Sequence, residues 1–142
     1  MIEQRLGCSI REFFEREGEP AFRAIELEVI ADLTRNDQCV ISTGGGVVLH
    51  EVNRDKLRTH CKTVYLHCEP EEIFRRLRHD QNRPLLQVAS PLEKLKDLYT
   101  VRDPLYREAA HLVVQTGRPS IAALVSTIIE QLQLSTGPHL DP

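Results

Sequence analysis

Chemistry in this chain has three candidate carriers: the glycine run Gly44, Gly45 and Gly46, the pair Arg23 and Glu26, and two further arginines, Arg83 before a proline and Arg107 in a charged segment. The glycines sit in CVISTGGGVVL, Cys39 to Leu49. A short apolar run that stops on Ser-Thr and three glycines predicts a buried β-strand ending in a backbone-only loop. Three successive glycines lose much conformational entropy on ordering, so such a loop implies positive φ or close approach of a ligand or of neighbouring backbone. A tight strand-to-helix turn without a ligand is the plain alternative. Arg23 and Glu26 lie three apart on one side of a helical stripe. By spacing alone they read as a surface ion pair worth less than about 1 kcal/mol.

Composition narrows the classes. The 142 residues are one domain by length, and 41% hydrophobic with 27% charged residues is the balance of an ordinary soluble globular protein. A net charge of −3 gives no footprint for nucleic acid. The basic residues are 14 Arg and 4 Lys, a bias toward the residue suited to bidentate contact with phosphate and carboxylate. No apolar run is long enough to span a bilayer, and the N-terminus lacks a basic-then-apolar leader pattern, so the expectation is a cytoplasmic protein without a membrane partner. Cys8, Cys39, Cys61 and Cys68 form no Cys-x-x-Cys pair, and the six histidines have no metal-binding spacing. No metal ligands are therefore assigned. Cys39 and Cys68 fall in apparent strands as small buried hydrophobes.

The elements that must position these residues follow in order. Ser9 with Glu12 is a capping box before a helix ending near Gly18. Pro20 opens a second helix with Phe22, Ile25, Val29 and Leu33 as its apolar stripe. Cys39–Thr43 is the first strand, residues 51–59 a polar helix, Thr63–Cys68 the next strand, and Glu69-Pro70 the start of a helix that buries Ile73, Phe74 and Leu77. Residues 80–89 lack periodicity and read as a loop long enough to cover a site, closed by a second capping box, Ser90 to Glu93. After the helix of Leu92, Leu95 and Leu98 comes a charged segment, 102–110, then a third strand over 112–115. Pro119 and Ser120 lead into a last helix with Ile121, Leu124, Val125, Ile128 and Leu132 facing in. The alternation predicts an α/β fold with a parallel sheet. Three strands are few for such a sheet, and the chain opens on helices with no strand before them.

Five pieces in order, IEQRLGCSIREFF (2–14), GEPAFRAIE (18–26), ISTGGGVV (41–48), NRPLL (82–86) and DPLYREAA (103–110), resemble the shikimate kinases, small enzymes of the P-loop, nucleoside-monophosphate-kinase-like class. The resemblance implies a three-layer parallel sheet with helices on both faces, a kinase-like domain over 1–134 with a lid loop at about 80–90, and a flexible tail over 135–142. It implies ATP- and Mg²⁺-dependent phosphorylation of the shikimate 3-hydroxyl, on the chorismate route to aromatic amino acids. Shikimate is then the partner, with ATP if the phosphate-binding part is supplied, and a monomer is the expectation for the intact form. By position Arg23 resembles the first shikimate-carboxylate arginine and Glu26 the glutamate that holds it. Gly44, Gly45 and Gly46 resemble the segment against the ring hydroxyls, and Arg107 a second carboxylate arginine. Arg83 resembles the lid arginine that reaches the transferring phosphate, and Arg78 one that stacks near adenine, with a slightly short loop between the two. An arginine fork and close backbone donors suit a polyhydroxy carboxylate, and a lid arginine suits phosphoryl transfer.

One part of the pattern is absent. Shikimate kinases begin with a strand, a G-x-x-G-x-G-K-[ST] loop, a helix and a strand ending in Asp-x-Asp, and none of these lies in the 142 residues. That loop holds the phosphates and its hydroxyl binds Mg²⁺, so the chain alone is expected to be inactive or very weak. In the family order 2-3-1-4-5, the strands here map to 3, 4 and 5, leaving a gap where the first belongs. A shortened reading of a longer gene is the expectation. The alternatives are a non-catalytic shikimate-binding or regulatory protein and a partner for a chain that carries the phosphate loop. A related small-molecule kinase such as gluconate kinase is less consistent with F-R-x-x-E and L-Y-R-E.

Overall fold

The structure, a computed structural model, describes residues 1–78, 90–117 and 119–135, with the side chains of 134 and 135 excepted. It divides into two compact units, Met1–Cys61 and Lys62–Pro142.

In the first unit, α1 (Ile2–Leu6), α2 (Ile10–Glu17) and α3 (Glu19–Leu33) precede a 3₁₀ turn, Gly45–Leu49, and α4 (Glu51–His60). The first capping prediction holds: the Ser9 side chain accepts the Glu12 N–H at 3.1 Å. Gly18, at φ 84, ends α2 and starts α3, a positive φ that glycine adopts without strain. That corner stacks Phe14 on Phe22, ring centroids 4.6 Å apart, and so sets the direction of α3. The buried stripe of α3 is Phe22, Glu26, Val29 and Ile30, with Ile25 and Leu33 only half-buried. A glutamate therefore lies on the apolar face.

The predicted strand Cys39–Thr43 does not form. Among the described residues no neighbouring strand lies alongside to take its ladder hydrogen bonds, Gln38 enters it at φ 59, and Val40 is fully exposed. Cys39 is accordingly exposed rather than buried.

In the second unit, β1 (Val64–His67), α5 (Pro70–Leu77), α6 (Pro91–Ala109), β2 (Leu112–Gln115) and α7 (Ile121–Ser135) follow. β1 and β2 pair in parallel, Val64 opposite Leu112 through His67 opposite Gln115. These are the neighbours expected from the family order, and helices alternating with a small parallel sheet make the fold α/β. Cys68 lies just past β1 and is half-buried. The second capping box is absent: Ser90 is left-handed at φ 67 and its side chain makes no cap hydrogen bond. Helix α6 instead runs unbroken through Pro104, joining what the sequence pattern splits into a helix and a charged segment. On α7, Leu124, Ile128 and Leu132 are half-buried, whereas Ile121 and Val125 are exposed, contrary to the expected stripe. The lid at 80–90, apart from Ser90, and the tail beyond Ser135 lie outside the described residues.

Candidate functional site

Helix α3 supplies a cation and its own counter-ion. Arg23 Nη1 donates to Glu26 Oε1 at 2.8 Å, and Nε and Nη2 reach Glu19 Oε1 at 3.4 and 3.3 Å. The guanidinium also lies 5.3 Å from the centroid of the Phe22 ring. Glu26 is buried, so this is no ordinary surface pair: a carboxylate on an apolar helix face requires a charged partner. Glu19 is a member that sequence reasoning missed, although its position four residues before Arg23 is the favourable glutamate-to-arginine helical spacing.

The glycine run completes the arrangement, with close approach of a side chain where a ligand or neighbouring backbone was anticipated. None of the three glycines has positive φ. Close approach is the reason, and it falls on a single residue: a Cβ at Gly46 would coincide with the Arg23 guanidinium carbon and terminal nitrogens. A Cβ at Gly44 would meet Glu26 Oε2 at an ordinary 3.8 Å. Arg23, Glu26, Gly44 and Gly46 thus come together, with Gly45 exposed between the two glycines. A cleft of about 320 Å³ lies beside them, lined by Glu26, Val29, Ile30, Ile41, Thr43 and Gly44 among others. A guanidinium fixed by two glutamates against bare backbone is held in one orientation before any ligand arrives.

A second cluster occupies the other unit. Asp103 accepts from the Tyr65 hydroxyl at 2.8 Å and from Arg107 Nε at 3.0 Å. Burial works against the Asp103 carboxylate, yet the Tyr65 hydroxyl and the Arg107 guanidinium hold its pKa below the ordinary value. Burial, then the hydrogen bond to Asp103, push the Tyr65 phenol well up. The bond to Asp103 raises Arg107 in turn. His67, buried beside them, contacts Gln115 Oε1 through Nδ1 at 2.6 Å and the Tyr99 hydroxyl through Nε2 at 2.7 Å. Arg107 is therefore already committed to a carboxylate of its own helix. Arg102 on the same helix is half-buried and makes no hydrogen bond or ion pair among the described residues, a cation that sequence reasoning passed over. Arg78 is exposed just past α5, its N–H bonded to Phe74 O at 2.9 Å. Arg83 lies outside the described residues.

Solved structures share this fold. A shikimate kinase from Acinetobacter baumannii in complex with shikimate superposes with a TM-score of 0.84 at 42% identity, over 95% of this chain and 75% of that one. The shikimate kinase of Aquifex aeolicus superposes with a TM-score of 0.80 at 31% identity, over 95% and 78%. The fold is that of a small-molecule kinase of the P-loop class. The shikimate kinase family model matches residues 1–133. The shikimate kinase of Paracidovorax citrulli is 56% identical over 138 residues, 95% of this chain and 75% of its own length. That of Thiobacillus denitrificans is 47% identical over 136 residues, 96% and 74%. The chain belongs to the shikimate kinase family.

The nucleotide side of that chemistry does not fit the residues present. The 142 residues contain no G-x-x-x-x-G-K-[ST] run to cradle phosphates or place a hydroxyl on Mg²⁺. The main ATP- and Mg²⁺-binding elements of the family are thus missing from this sequence. Among the described residues, no helix is long and apolar enough to cross a membrane.

Proposed function

We propose that this chain carries the acceptor side of the shikimate kinase reaction: it binds shikimate, whose 3-hydroxyl receives the phosphoryl group in the ATP-dependent step toward aromatic amino acids. The observation that carries the reading is the Arg23 guanidinium pinned by Glu26 and Glu19 against Gly46. In this reading the guanidinium takes the carboxylate, and the backbone of Gly44, Gly45 and Gly46 faces the ring hydroxyls. The Acinetobacter baumannii relative, in complex with shikimate, supports the choice of ligand. Arg107 carries a separate proposal as a further carboxylate contact. Arg102 competes for that role because its charge has no internal partner among the described residues. Arg83 and Arg78 are proposed for the transferring phosphate and the adenine, within a domain over 1–134 that acts in the cytoplasm.

A calorimetric titration of the chain with shikimate, beside Arg23→Ala, tests this. Binding that weakens at least about tenfold in the variant is expected, since a charge-assisted bidentate contact is worth more than 1.4 kcal/mol. Equal affinity for both chains contradicts it. A non-catalytic shikimate-binding role is the second reading, favoured by the absence of the phosphate loop from the 142 residues. Measurable phosphorylation of shikimate by this chain with ATP and Mg²⁺ eliminates it.

A further inference from the structure

The turn on which Arg23 rests is short and is anchored by the buried Val47 and Val48. Gly45–Leu49 is a single 3₁₀ stretch, a geometry with poor hydrogen bonds, and the Val47 N–H to Gly44 O contact is a long 3.3 Å. Two side chains from the first turns of α4 reach back over it. Asn53 Nδ2 donates to Val47 O at 3.1 Å, and Arg54 Nη1 donates to Val48 O at 2.8 Å. These are successive carbonyls, so together they fix both the position and the rotation of the peptide units just after Gly46. Asn53 is 1% exposed, and its Oδ1 meets no hydrogen-bond partner among the described residues. A buried amide satisfied at one end costs stability compared with an apolar residue of similar size. The one hydrogen bond its amide makes among the described residues goes to the Val47 carbonyl and fixes where that carbonyl lies.

We infer that Asn53 and Arg54 are positioning residues for the acceptor site: they clamp the glycine turn in the one place where Gly46 admits the Arg23 guanidinium. The contact at Gly46 has no slack, because even a Cβ there falls on the guanidinium. A turn that moves inward displaces Arg23, and one that moves outward removes its backing. The consequence for ligand affinity rests on the reading of Arg23 as the carboxylate contact, while the clamp itself does not.

The test follows the Arg23 Nε–H resonance of the ¹⁵N-labelled chain, assigned with Arg23→Ala. In Arg54→Met that resonance is expected to shift and exchange with solvent faster while the melt stays cooperative, and Arg54→Lys is expected to restore it in part. Shikimate affinity is expected to fall about tenfold in Arg54→Met. Asn53→Ala is expected to act in the same direction, and if it fails to fold the Arg54 pair decides. An Arg23 resonance unchanged in Arg54→Met overturns the inference. A shifted Arg23 resonance in Arg54→Met, with shikimate affinity indifferent to Arg23→Ala, supports the clamp and refutes the carboxylate reading instead.

Discussion

Each unit builds an arginine–carboxylate pair on one helix with the acid as the more buried member, and the pairs differ in which member takes a second partner. In the first, the side chain of Glu26 is 5% exposed and that of Arg23 is 23% exposed. The acid is sunk into the core, and the cation it holds also reaches Glu19. In the second, Asp103 is 17% exposed and Arg107 47%. There the acid is the centre, fed by Tyr65 and Arg107, and the arginine is the outer partner. The same two functional groups therefore make a cation held by two acids in one unit and an acid held by two donors in the other. What separates them is the second partner, Glu19 with bare glycine backbone at Arg23 and the Tyr65 hydroxyl at Asp103, since an aromatic ring flanks both arginines.

That contrast orders the consequences of breaking each pair. Glu26→Ala should be the most disruptive, about 3 kcal/mol in denaturant unfolding, because it leaves a largely covered guanidinium without its buried acid. Tyr65→Phe should cost about 1 kcal/mol, the ordinary value of a buried hydrogen bond, and should let the Asp103 pKa rise toward its usual range, readable by NMR titration. Gly46→Ala should leave folding nearly intact, since a flexible side-chain end gives way, yet weaken shikimate about tenfold; Gly44→Ala should do much less. Arg107→Ala should be smallest, because an exposed arginine contributes little to an acid that keeps the Tyr65 hydroxyl.

The pH dependence separates the units further. Asp103 is depressed in the folded state, so its contribution is complete above its ordinary value of 3.8 and is lost as pH falls through the folded value. Tyr65 is raised, so its contribution is complete below its ordinary value of 10.0 and is lost as pH rises through the folded value. All three tyrosines, at 65, 99 and 106, fall in the second unit. Ionisation of Tyr65 at alkaline pH should therefore accompany unfolding of that unit, and Tyr65→Phe should move the transition.

The helices were legible because their signals are local. Ser9 before Glu12, Gly18 before Pro20, and Pro70 after Glu69 each satisfy helix ends within a few residues, and each is seen. The strand at Cys39–Thr43 was misread because an apolar run reports only a wish to be buried, whereas a ladder requires a neighbour that local pattern cannot supply. Ser90 fits a capping box in sequence, but its left-handed backbone points the hydroxyl away from that bond. In the site, Arg23, Glu26 and the glycines were legible by resemblance, while burial of Glu26 became visible only once α3 was packed. Asn53 and Arg54 carried no signal at all, since a side chain reaching six residues back to a carbonyl leaves no spacing rule to recognise.

The most direct measurement compares shikimate with an analogue lacking only the carboxylate, titrated against the native chain and Arg23→Ala. If Arg23 holds the carboxylate, the native chain prefers shikimate by at least about tenfold, and the preference shrinks in the variant. A preference undiminished in Arg23→Ala, or none in the native chain, contradicts the assignment of this site.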